Sequence, residues 1–83
     1  MIESKIIGGV SFWFFTEQLL VLNADRTAYE RLGSYVCYFN FEEPTEVVHG
    51  ELLIDEKGAV RRFQSTKEAI EAATAHVKKK WNL

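Results

Sequence analysis

The tetrapeptide Ser65-Thr66-Lys67-Glu68 follows directly on a run of strand-forming residues, and that junction restricts the fold more than any other feature of the chain. A Ser hydroxyl accepts from the backbone N–H three residues on, and a Glu there reaches back to the Ser N–H, so the tetrapeptide predicts a capping box opening a helix. Ile70, Ala73, Val77 and Trp81 then recur at helical spacing, and Ala69, Ala72 and Ala75 widen the stripe with small side chains. That pattern predicts an amphipathic helix running to about Lys80 and lying close against a sheet. Glu68 and Glu71 fall near its positive end and Lys78, Lys79 and Lys80 near its negative end, where the helix dipole favours them.

Upstream of the cap, residues 46–54 are β-rich, Asp55-Glu56-Lys57-Gly58 has the composition of a type I turn with Gly in the left-handed position, and residues 59–64 return as a partner strand. In that register Ile54 faces Val60, Leu53 faces Arg61, Leu52 faces Arg62 and Glu51 faces Phe63. Period-two alternation then places His49, Glu51, Leu53, Arg61 and Phe63 on one side of the hairpin. Pro44, the only proline, has no N–H for a strand ladder, so Glu42-Glu43-Pro44-Thr45 reads as a turn between strands. The strand before it spans residues 34–41 and is apolar on both faces, the mark of a central strand.

The first third is open to two readings. Residues 11–22 fit a helix with Phe12, Phe15, Leu19 and Leu22 on one face, or two extended pieces, 5–15 and 18–22, rich in aromatic and branched side chains. Gly8-Gly9 is a poor helix interior and reads as a bend or bulge, which favours the extended form. Asp25 is placed to cap a short helix over 26–32 ending at Gly33. With 83 residues there is room for one core. The expectation is a single α+β domain over 1–83, an antiparallel sheet of roughly three to five strands with the C-terminal amphipathic helix packed across one face.

Hydrophobic residues make up 47% of the chain, and six Phe, three Tyr and two Trp are more than a small core easily covers. The leading functional expectation follows: a non-enzymatic protein–protein interaction or regulatory domain that binds itself or another protein through exposed aromatic surface at Phe12, Trp13, Phe14 and Phe15. Cys37 is the only cysteine and lies in an apolar stretch, so it reads as a core thiol in a reducing compartment such as the cytoplasm. The apolar stretch 6–22 is broken by Ser11, Thr16, Glu17 and Gln18, and neither a leader peptide nor a membrane span is expected.

Charge is unevenly placed although the net value is only −2. Residues 42–56 carry Glu42, Glu43, Glu46, Glu51, Asp55 and Glu56 with no Lys or Arg, whereas 57–83 carry Lys57, Arg61, Arg62, Lys67, Lys78, Lys79 and Lys80 against Glu68 and Glu71. A folded sheet can bring the two segments together and cancel them. Arg61, Arg62, Lys67, Lys78, Lys79 and Lys80 form the alternative, a nucleic-acid surface. The run from Gln64 to Ala73, with the hairpin before it, resembles the last hairpin and helix of double-stranded-RNA-binding domains, and equally the strand-then-helix end of phage integrase arm-binding domains. The RNA-binding family has a lysine-rich helix start, where this chain has Glu68, Ile70 and Glu71, so no family is assigned.

A third reading places a small-molecule site or minor enzyme at His49, Glu51, Arg61 and Phe63, where a His–Glu pair on one strand can move a proton or, with Arg61, hold an anion. A Glu51–Arg61 ion pair accounts for the same residues without chemistry. No metal or cofactor is expected: the helical neighbours of His76 at ligand spacing are Ala72 and Lys80, and Cys37 has no His or Asp near it in sequence to activate it. Gly8-Gly9 lacks the remaining residues of a phosphate-binding loop.

Overall fold

Gly8 and Gly9 take φ of 58° and 81° in the computed structural model, which describes the backbone of residues 1–83 and every side chain except those of Arg31 and Leu32. Two successive positive φ values make a two-residue turn whose twist matches that of paired strands. Gly8-Gly9 is therefore a hairpin turn and not a bend or bulge. It joins β1 (Ile2–Ile7) to β2 (Val10–Leu22), in a register running from Ile2 opposite Phe15 to Ile7 opposite Val10. The extended reading holds, but β2 is one continuous strand, and the expected 5–15 piece is folded back on itself.

The expected helix over 26–32 does not form. Asn23 accepts from the Thr27 N–H (3.0 Å) and donates to the Thr27 hydroxyl (3.1 Å), and its own N–H bonds the Ala28 carbonyl at 2.9 Å. These bonds close a hairpin loop in which Arg26 has φ 58°, a value no helix interior accepts. A helix that short has no stability of its own to set against them. The chain enters β3 (Tyr29–Asn40) instead, five residues before the expected start of that strand at Ser34. Gln18 pairs with Tyr35 but Leu20 with Arg31, so Leu19 faces the extra residues 32–34 of a bulge. Gly33, with φ 74°, belongs to that bulge and not to a helix end.

After Asn40 the chain runs through an irregular connection over 41–50, longer than the tight turn expected at Pro44, in which the Thr45 hydroxyl accepts from the N–H groups of Val47 and Val48. The strand expected over 46–54 is reduced to β4 (Glu51–Leu52), paired with Phe39 and Tyr38. The turn at 55–58 forms, with Ile54 bridging Val60 and the Asp55 carboxylate accepting from the N–H groups of Lys57 and Ala59. Its arms then separate. Leu53 N–H bonds Cys37 O, and Phe63 exchanges two backbone bonds with Tyr35, so both arms dock one after the other along the same edge of β3. Arg61 N–H still bonds Leu53 O at 3.2 Å, but the expected pairs Leu52–Arg62 and Glu51–Phe63 do not form: both Phe63 backbone groups go to Tyr35, and Glu51 and Leu52 pair with Phe39 and Tyr38. The result is an antiparallel sheet in the order β1-β2-β3-β4, extended by the return arm at Phe63.

Helix α1 (Thr66–Trp81) follows, with the Ser65 hydroxyl accepting from the Glu68 N–H at 3.1 Å and Asn82 closing its end in the left-handed conformation. Ala69, Ile70, Ala73 and Val77 are buried against Phe12 and Phe14 of β2 and Cys37 and Phe39 of β3, joined by Ile7, Leu53 and Phe63. Full burial of a side chain such as Ile70 or Val77 contributes about 1.5 to 3 kcal/mol. The α+β architecture is as the sequence implies, with one helix across one face. The other face carries no helix.

Candidate interaction surface

The pleat decides where the aromatic block goes. Phe12 and Phe14 point toward the helix and are fully buried, Phe12 lying 5.6 Å from the Trp81 ring between centroids. They are core, and the expectation that they are surface residues is corrected: alternation hides every second residue of an apolar strand. Trp13 and Phe15 project from the opposite, helix-free face and are half-buried. Phe15 stacks on His49 (4.7 Å, 12°) and leans on Tyr38 (5.9 Å). The Tyr38 hydroxyl donates to Glu17 at 3.2 Å, and burial, then the Glu17 carboxylate, holds its phenol above the ordinary value.

Beyond Thr16 the β2–β3 hairpin leaves the core as an arm. Leu20 (53% exposed), Val21, Leu22 (49%) and Tyr29 (68%) lie open along it. The arm stretches the molecule to 48 × 27 × 20 Å. Its radius of gyration is 13.8 Å, against about 12 Å for a compact chain of this length. The sequence alone does not mark this surface, because a strand rich in Leu and Val looks like core until its neighbours are known.

The grouping of His49 with Glu51, Arg61 and Phe63 does not form. Gly50 takes φ 109°, so the chain rotates between its neighbours: His49 stacks on the helix-free face, while Glu51 points to the helix side and pairs with Lys80 at 3.2 Å, not with Arg61. His49 Nδ1 is buried there without a hydrogen-bond partner among the described residues. Phe63 is in the core, with the Arg61 guanidinium 5.3 Å from its ring. Glu51 and Arg61 instead line an open groove of about 820 Å³ between α1 and the 54–60 hairpin, shared with Asp55, Glu56, Lys79 and Lys80. His76 also lines it, its imidazole pushed below the ordinary value by burial first, then by Lys80, with Arg61 and Lys79 acting in the same sense and Glu51 opposing.

Acidic and basic segments thus meet in one groove, and the basic set is divided. Lys67 is in the first turn of α1 and Lys78, Lys79 and Lys80 in the last, about 16 Å apart along the axis. Arg62 is exposed on the hairpin, and Lys80 is held by Glu51 and lies 4.9 Å from the Trp81 ring. Burial pushes the Cys37 thiol up to about 12, which makes it a poor nucleophile. Among the described residues no three His, Cys, Asp or Glu side chains converge to hold a metal ion, and no helix is long and apolar enough to cross a membrane.

The chain matches no known family, no curated protein and no solved structure.

Proposed function

We propose that this domain acts without catalysis, by protein contact, and that it binds a second copy of itself through the β2–β3 arm. The observation that carries this reading is the amount of surface. The chain exposes 5896 Å², whereas a compact monomer of its 9.6 kDa exposes about 5,100 Å². The difference, roughly 800 Å², is what each partner contributes to a standard interface. It comes with open Leu20, Val21, Leu22 and Tyr29 on the arm, and with half-buried Trp13 and Phe15 on the uncovered face.

Charge supports the same ordering of functions. The mixed groove and the divided lysines offer phosphate no continuous basic track, so nucleic-acid binding ranks below self-association. The buried, unreactive Cys37 suits a reducing compartment such as the cytoplasm. Sedimentation equilibrium tests the proposal: a species heavier than 9.6 kDa is expected at micromolar concentration. A single 9.6 kDa species persisting to high micromolar concentration refutes it.

A further inference from the structure

We propose that two copies join edge to edge through residues 18–22 of β2, around a two-fold axis that passes beside Leu20, so that one sheet runs through both chains. This rests on the self-association reading and specifies its geometry.

The backbone gives the first argument. Met1 N–H and Thr16 O, and Thr16 N–H and Met1 O, bond across the β1 side of β2. Successive residues of a strand direct their N–H and C=O groups to opposite edges, so Gln18, Leu20 and Leu22 present theirs on that same side. β1 pairs only with Val10–Phe15, and β3 takes the other edge, where Asn23 N–H meets Ala28 O. Among the described residues nothing pairs with the outward groups of Gln18, Leu20 and Leu22. An unpaired edge of this kind is a template for another strand.

Self-complementarity identifies that strand. A two-fold axis normal to an antiparallel sheet must place one residue opposite its own copy, because the axis keeps each side chain on its own face. Centred on Leu20, the register sets Leu20 against Leu20 of the partner subunit, Gln18 against Leu22 of the partner subunit and Leu19 against Val21 of the partner subunit. Each outward-facing pair exchanges both of its backbone hydrogen bonds. Leu20 and Leu22 then cover each other on the helix side, where both are about half exposed in the single chain. Glu17 falls opposite Asn23 of the partner subunit, so no like charges face each other across the seam. A C2 contact of this isologous kind needs one patch complementary to itself, and this one is.

The arm also permits a clean test, since Leu20 N–H is not used within the chain. Leu20→Pro removes both bonds of the central pair and leaves the β2–β3 ladder intact, as proline is tolerated where its missing N–H faces outward. The dimer dissociation constant from sedimentation equilibrium should rise by roughly 30-fold or more, with the wild-type circular dichroism spectrum retained. Leu20→Cys supplies an independent measurement. An outward-facing pair has its Cα atoms about 5.5 Å apart, within disulfide range, and the only other thiol, Cys37, is buried. Oxidation should give a covalent dimer on a non-reducing gel, reversed by reductant. If the wild type associates but Leu20→Pro leaves the constant unchanged, or Leu20→Cys fails to cross-link, this geometry is wrong and self-association stands. If the wild type is a monomer throughout, both are wrong.

Discussion

Replacing Gly50 by alanine probes the joint that separates His49 from Glu51. Gly50 has φ 109°, and a Cβ added there overlaps the Phe39 carbonyl oxygen and comes within 2.9 Å of the Asn40 Cβ. The sparsely populated backbone conformation alone costs on the order of 1 to 3 kcal/mol for a residue with a side chain. The contact adds to this because its nearest atom is backbone of β3, in the middle of the sheet, and cannot rotate away. Gly58→Ala is the internal control: its φ is 83°, but a Cβ there meets nothing within 4 Å. Its cost should be the conformational part only, about 1 to 2 kcal/mol. Urea unfolding followed by circular dichroism should therefore place Gly50→Ala at least about 1 kcal/mol below Gly58→Ala. A Gly50→Ala variant as stable as the Gly58→Ala variant refutes the close approach of this segment to Phe39, and with it the account of why His49 and Glu51 lie on different faces.

Ser65→Ala removes the acceptor for the Glu68 N–H and should cost about 0.5 to 2 kcal/mol, whereas Ile70→Ala, cutting into the buried helix stripe, should cost about 2 to 5 kcal/mol. The reverse order in thermal unfolding contradicts the docking of α1 by this face. Because the folded state holds the His76 imidazole below its ordinary value, the unfolded chain binds the proton first as pH falls through about 6.5, so acidification lowers stability, and His76→Gln should remove that part of the slope measured by urea unfolding. An unchanged slope refutes it. Buried Cys37 should react with an alkylating reagent only as fast as the fold opens, and a reaction as quick as in urea-unfolded chain contradicts its place in the core.

The helix and its cap were legible from Ser65 to Val77 because local chemistry and packing agree there: the hydroxyl caps, and the stripe that repeats at helical spacing is the stripe that is buried. Gly8-Gly9 carries a hairpin signal in its composition, since two adjacent glycines are among the dipeptides that make two-residue turns, and both take the positive φ such a turn requires. Other features carry no such local signal. The register at Glu51 and Phe63 depends on β3 competing for both arms of the hairpin, a pairing between residues distant in sequence. His49 and Glu51 parted company through the backbone rotation at Gly50, which period-two counting does not detect. The surface arm was equally hidden: Leu20 and Phe14 belong to one strand and face one way, and only the extent of the helix over the sheet makes one of them core and leaves the other exposed.

Amide hydrogen exchange resolved to single residues, compared at low and high micromolar concentration, tests the use of the arm most directly. In the single chain the N–H groups of Gln18, Leu20 and Leu22 point outward from an unpaired edge and should exchange quickly. Protection at these three amides should rise with concentration, while Val77, fully buried in the core, keeps a constant rate. Exchange at Gln18, Leu20 and Leu22 that stays fast at every concentration contradicts self-association through this edge.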